Sequence, residues 1–154
     1  MRNQLELAEA IQRTLAGLRY NSQNVVFFFG RIKNVKYPFI DIYYPSFRES
    51  TASANMWNDI SATVCIEFAY AKETEDEELY NFANSITAPL KSGIKYMRGV
   101  HNFIITPNDD FEVRIVDGYL QILFDVNYQV DTAVKVAYDN LDKMENLDVN
   151  IKKE

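Results

Sequence analysis

Residues 111–130 read Phe111-Glu112-Val113-Arg114-Ile115-Val116-Asp117-Gly118-Tyr119-Leu120-Gln121-Ile122-Leu123-Phe124-Asp125-Val126-Asn127-Tyr128-Gln129-Val130. Asp117-Gly118 between two alternating apolar runs is the strongest short-range hairpin signal, because a type I′ turn needs positive φ at both central residues. Pairing Val116 with Tyr119 sets Ile115 opposite Leu120, Val113 opposite Ile122 and Phe111 opposite Phe124. All six apolar side chains then share one side of the pleat, as the two-residue strand period requires. The second strand outruns the first through Val126, Tyr128 and Val130. That surplus needs a partner elsewhere in the chain or in a neighbouring subunit.

A chain of 154 residues suits one domain, large enough to bury roughly 70% of its unfolded surface. Ten Tyr and ten Phe favour strands, and five Gly with four Pro argue against a low-complexity chain. No apolar run approaches the ~20 residues that span a bilayer, so no membrane partner is expected. The opening Met1-Arg2-Asn3-Gln4-Leu5-Glu6 lacks the charged-then-apolar layout of a signal peptide. The single cysteine, Cys65, excludes an internal disulfide framework and a Cys-based zinc site. Assembly in a reducing cytoplasm is the resulting expectation. A net charge of −6 gives no bulk drive toward phosphate backbones or anionic membranes. An acidic wall is nevertheless what a passage needs if DNA must slide through it.

Outward from the hairpin, Leu5, Ala8, Ile11, Leu15 and Leu18 recur at helical steps and predict an amphipathic helix over residues 3–19, broken by Asn21-Ser22. Residues 25–29 are a continuous apolar run ending at Gly30 and read as a strand. Residues 39–44 read as a second strand, entered through Pro38 and stopped by Pro45. Residues 45–56 are small and polar with no period, and read as a loop of the length that is functional or disordered. Alternation returns over residues 57–70, with Ile60, Ala62, Val64, Ile66, Phe68 and Tyr70 on one face. Thr74-Glu75-Asp76-Glu77 forms a capping box with Thr74 as N-cap, and Leu79, Phe82, Ala83 and Ile86 supply the buried stripe of a second helix that Pro89 ends or kinks. Residues 100–106 are a further apolar stretch closed by a Pro107-Asn108-Asp109-Asp110 turn. Residues 131–154 hold sparse apolar positions. They fit an irregular arm ending in a short strand through Leu147, Val149 and Ile151, and equally a helix over residues 138–146. The pattern predicts a single α+β domain over residues 1–130, with an antiparallel or mixed sheet, two flanking helices and a C-terminal arm over residues 131–154.

Candidate chemistry is thin. His101 is the only histidine, so any Ser-His-Asp or Cys-His arrangement would have to use it; no serine or cysteine motif lies near it. Nothing near Cys65 in sequence lowers its pKa, so it reads as a packed thiol. Asp109-Asp110 is explained by turn chemistry, while Asp125, Asn127 and Asp41 read as outer-face strand residues. No cofactor, metal or catalytic residue is expected, and the chain does not read as an enzyme. Two basic runs, Arg31, Lys33 and Lys36, then Lys91, Lys95 and Arg98 beside Tyr96, could hold single-stranded nucleic acid. Solvated rims or partners for a neighbour's acids fit them better. Tyr43, Tyr44 and Trp57 flank the polar stretch and suit either interface anchors or core packing.

The N-terminal helix, Tyr37-Pro38-Phe39-Ile40-Asp41-Ile42-Tyr43-Tyr44-Pro45, the acidic helix around Glu77-Glu78-Leu79-Tyr80 and the hairpin resemble, in order and spacing, the small tail terminator (tail completion) proteins of phages and prophages of Gram-positive bacteria. The ending Lys143-Met144-Glu145-Asn146-Leu147-Asp148-Val149-Asn150-Ile151 is also similar to that family, whereas residues 46–58 depart from it. The resemblance implies an α+β subunit of a homo-oligomeric ring, typically a hexamer, at the head-proximal end of the tail tube in the virion neck. Implied partners are the tail tube protein, the head-tail connector and, in a contractile tail, the sheath, with DNA passing through the lumen unbound. Val126, Tyr128 and Val130, with Leu147, Val149 and Ile151, then suit pairing with an adjacent subunit by strand addition, and Tyr43, Tyr44 and Trp57 are further candidate subunit or partner contacts. A connector or other neck protein, and a small nucleic-acid-binding module, remain the alternatives.

Overall fold

The Asp117-Gly118 turn adopts the positive φ values that its residues permit, 52° and 82°. This is a computed structural model, and it describes residues 2–30, 36–52, 57–70, 74–98, 101–108 and 110–131. Strands β8 (Glu112–Val116) and β9 (Tyr119–Asp131) pair in the expected register, with Val116 opposite Tyr119, Ile115 opposite Leu120 and Val113 opposite Ile122. Phe111, just before β8, stacks on Phe124 with ring centroids 5.0 Å apart.

The surplus of β9 finds its partner inside the chain. β9 pairs antiparallel with β5 (Trp57–Ala69) from Phe68 opposite Leu120 to Trp57 opposite Asp131. On the far side of β5 lies β4 (Phe39–Ala52), also antiparallel, and β3 (Val26–Phe29) runs parallel to β4. The mixed sheet has the order β3-β4-β5-β9-β8. Two helices, α1 (Arg2–Thr14) and α2 (Asp76–Lys91), complete an α+β domain. Two short hairpins join it: β1 (Arg19–Tyr20) with β2 (Gln23–Asn24), and β6 (Ile94–Arg98) with β7 (His101–Ile105).

The core forms where the apolar side of the sheet meets the helices. Ile40, Ile42, Val64, Ile66, Phe68, Leu120, Ile122 and Phe124 pack with Leu7, Ile11 and Leu15 of the N-terminal segment and Leu79, Phe82, Ile86 and Leu90 of α2. Tyr20 fills the space between, meeting Phe68, Tyr70 and Phe82 edge-on at 4.9–5.0 Å.

Several expectations need correction. Pro45 does not stop its strand; β4 continues to Ala52, so most of the expected loop is strand, and residues 53–56 lie outside the described residues. Between Tyr43 and Ser46 the register with β5 shifts by one residue, and Pro45 sits in that bulge. There β3 has already ended, leaving β4 an edge where a missing N–H breaks no ladder bond. Helix α1 stops at Thr14, short of residue 19, and Gly17 turns the chain with φ 84°. Asn21 and Ser22, read as a breaker, are the positive-φ turn between β1 and β2. The N-cap of α2 is Glu75, without a side-chain bond, rather than Thr74. Pro89 lies inside α2, which ends only at Lys91. Gly93 then turns sharply into β6, and Ile104 occupies the space that a Cβ there would need. The C-terminal arm, beyond Asp131, lies outside the described residues.

Replacing the fully buried Ile122 by Ala should lower the unfolding free energy by about 2–5 kcal/mol. Asn127→Ala, exposed on the opposite side of the same strand, should change it by less than about 0.5 kcal/mol. Urea denaturation of the two variants checks the assignment of faces, and equal losses would refute it.

Candidate functional site

The alternation that builds the core leaves an outer face on the same strands. One cross-strand row runs Phe28, Asp41, Glu67, Gln121, Arg114 through all five strands. Gln121 Nε2 donates to Glu67 Oε2 at 2.8 Å, and Arg114 Nε donates to Gln121 Oε1 at 2.9 Å. Arg114 also holds Glu112 at 3.2 Å. Asp41 and Glu67 are each only 2% exposed, so Asp41 lies on the outer face, as its alternation predicts, and is buried there. Cys65 lies beside this row, hydrogen-bonded to Tyr43, and its thiol pKa is raised chiefly by burial. That makes it a poor thiolate and a packed side chain.

Beyond the bulge, residues 46–52, 57–63 and 125–131 form a three-stranded ribbon whose outer face changes character. Rows of Ser46, Thr63 and Asp125, then Arg48, Ser61 and Asn127, then Ser50, Asp59 and Gln129 cross it. Thr63 Oγ1 donates to Asp125 Oδ1 and Gln129 Nε2 to Asp59 Oδ1, both at 2.7 Å. An open groove of about 910 Å³ at this end of the ribbon is lined by Arg48, Ser50, Asp59, Ser61, Asn127 and Gln129 together with Phe47, Glu49, Ile60 and Tyr128. Its side chains offer hydroxyls, amides, two carboxylates and one guanidinium. Such a surface hydrogen-bonds water well. Among the described residues no group of three or more His, Cys, Asp or Glu could hold a metal ion.

The interface candidates divide. Tyr44 turns to the core side, where its hydroxyl donates to the Gln4 carbonyl at 2.5 Å and its ring meets Phe47 at 5.2 Å. Val126 and Val130 are buried in this chain. Tyr128 is half-buried against Tyr96 and Phe103, at 5.4 and 6.2 Å. Tyr43 is half-buried on the outer face, and Trp57 is exposed at the far end of the ribbon. Leu147, Val149 and Ile151 lie outside the described residues, as do Arg31 and Lys33.

The second basic run falls on the end of α2 and on β6. Lys91 Nζ stands 5.5 Å over the Phe111 ring, and the Lys95 carbonyl accepts a bond from Arg13. Tyr96 is buried, its hydroxyl donating to Glu6 at 3.0 Å, so it cannot stack on a base. His101 stands opposite Arg98 in the β6–β7 ladder. Sequence reasoning missed the Glu67–Gln121–Arg114 row. Its only signal was polar residues at matching strand positions, legible once β5 and β9 are aligned.

No protein-family model matches the chain, and no curated protein matches it.

Burial raises the phenols of Tyr44 and Tyr128 above the ordinary 10.0. The unfolded chain gives up these protons from about pH 10 while the folded chain keeps them. Their contribution to stability is therefore full below that pH and is lost as pH climbs toward the folded values. An alkaline titration should show their tyrosinate absorbance appearing only together with loss of the far-UV circular dichroism signal. Ionisation of all ten tyrosines ahead of unfolding would contradict the placement of these two.

Proposed function

We propose that this chain is a structural virion protein, the subunit of a ring that caps a phage tail tube at its head-proximal end, halts tube growth and joins the tail to the head connector. The observation that carries the reading is the order and spacing of its segments, which resemble tail terminator proteins. The ribbon supports it in physical terms. Its outer face is dominated by hydroxyls and amides, with Asp59 and Asp125 outweighing Arg48. Phosphate finds little attraction there, so DNA can pass without being held. The tail tube protein and the connector are the partners this reading requires, with the sheath added in a contractile tail.

Native mass spectrometry and negative-stain imaging of the purified chain test the ring, and labelling on virions tests its place. A closed ring at the junction of head and tail is the expected result. Location elsewhere in the neck would favour a connector role. Salt-dependent DNA binding that weakens on neutralising Lys91, Lys95 and Arg98 would favour a nucleic-acid-binding module. A strictly monomeric chain absent from the neck would refute the ring.

A further inference from the structure

The sheet ends at β3 on one side and β8 on the other, and no described strand pairs with either outer edge. Backbone bonds fix what those edges present. The Val26 N–H bonds the Pro38 carbonyl and the Gly30 N–H bonds the Ile42 carbonyl. The alternate residues Phe27 and Phe29 therefore turn their N–H and C=O groups away from β4. At the other edge, Val116 and Tyr119 close the type I′ turn as a hydrogen-bonded pair, so Arg114 and Glu112 also face β9 while Val113 and Ile115 face outward. The bond from the Asn108 N–H to the Asp125 carbonyl obeys the same alternation along β9.

Both edges share one further property. Phe27 and Phe29 align with Ile40 and Ile42, and Val113 and Ile115 align with Ile122 and Leu120, so all four lie on the apolar side of the sheet. Short length, charge and proline are the usual means of blunting an edge. β3 is short but carries neither charge nor proline, and Phe29 is 40% exposed.

We propose that β3 of one copy pairs antiparallel with β8 of a second copy, Phe29 opposite Val113 and Phe27 opposite Ile115, so that one sheet continues from subunit to subunit. The outward-facing groups of the two edges then bond each other, and their apolar side chains extend one apolar layer. Strand direction agrees: β3 runs with β4 and β9 and against β5 and β8, so rotation about an axis along the strands brings β8 and β3 together antiparallel. Charge agrees as well. On the outer face Phe28 meets Arg114, a ring beside a guanidinium, and exposed Lys36, at the end of the sheet where β3 and β4 begin, approaches exposed Asp117. A two-fold joint through β3 would leave β8 open, whereas the head-to-tail joint covers both edges with one interface that can close. The pairing deepens the ring reading and rests on it for closure; the joint itself rests on strand geometry.

The test uses cysteines at Phe28 and Arg114, which would form a non-hydrogen-bonded pair with Cα atoms about 4.5 Å apart, within disulfide reach. Oxidation of the chain carrying both Phe28→Cys and Arg114→Cys should give a ladder of covalent multimers that neither single variant gives. Of the backbone groups Phe29→Pro removes only an outward N–H, and it also removes the ring that meets Tyr44 at 5.9 Å; circular dichroism should stay native while association weakens about tenfold or more relative to Phe29→Ala, which removes the ring alone. A ring that persists without cross-links and with undiminished association in Phe29→Pro overturns the joint and leaves the ring reading standing. Cross-linked chains that never close support the joint and overturn the ring. Monomers at every concentration with no cross-link overturn both.

Discussion

The register of β9 is the constraint on which the rest of the molecule depends. Asp117-Gly118 fixes it against β8, and β9 carries it without interruption along β5 to the end of the ribbon. Side chains alternate at every step, so a slip of one residue would turn Leu120, Ile122, Phe124 and Val126 to the outer face and bring Gln121, Asp125 and Asn127 into the core. Burying those groups without partners costs about 1–3 kcal/mol apiece, against a total stability of about 5–15 kcal/mol for a domain. The alternative register is therefore excluded by the strand's own sequence, and β4 and β3 inherit their alignment from β5.

That single alignment also explains why the outer face has two zones. Near the helices the row through Glu67, Gln121 and Arg114 is buried at its centre and solvated at its β8 end. An amide relays the hydrogen bonding from a guanidinium at the edge to a carboxylate inside, so the buried oxygen is satisfied without a buried cation. Past the bulge the same strands carry short hydroxyl, amide and acidic side chains that remain in water. The bulge at Pro45 marks the boundary, because it re-phases β4 where the strand becomes an edge.

The parts legible in the sequence were those whose local chemistry agrees with their surroundings. The hairpin, β3, β5 and the buried stripe of α2 each follow from period and turn residues alone. The misreadings arose where a local signal was outvoted. Pro45 reads as a terminator only if both sides of its strand are paired. Thr74 looks like an N-cap, yet the helix begins one residue later than its capping box implies, with Glu75 in the extended cap position. Leu15 and Leu18 keep helical spacing although Gly17 has already turned the chain. β6 was hidden because Lys95 and Met97 face out in alternation with the buried Ile94 and Tyr96, and its basic residues read as a solvated rim or as partners for a neighbour's acids. The candidate interface was least legible. Val126 and Val130 look like spare apolar surface until β5 is aligned beside them, and Tyr44 until α1 covers it.

The most direct measurement is a set of cross-strand Hα–Hα nuclear Overhauser contacts between β5 and β9. In the observed register the close, non-hydrogen-bonded pairs are Glu67 with Gln121, Cys65 with Leu123, Thr63 with Asp125, Ser61 with Asn127 and Asp59 with Gln129. An unbroken series of these five contacts is the predicted result. A series displaced by one residue, or one that ends at Asp125 with no contact beyond it, would contradict the account.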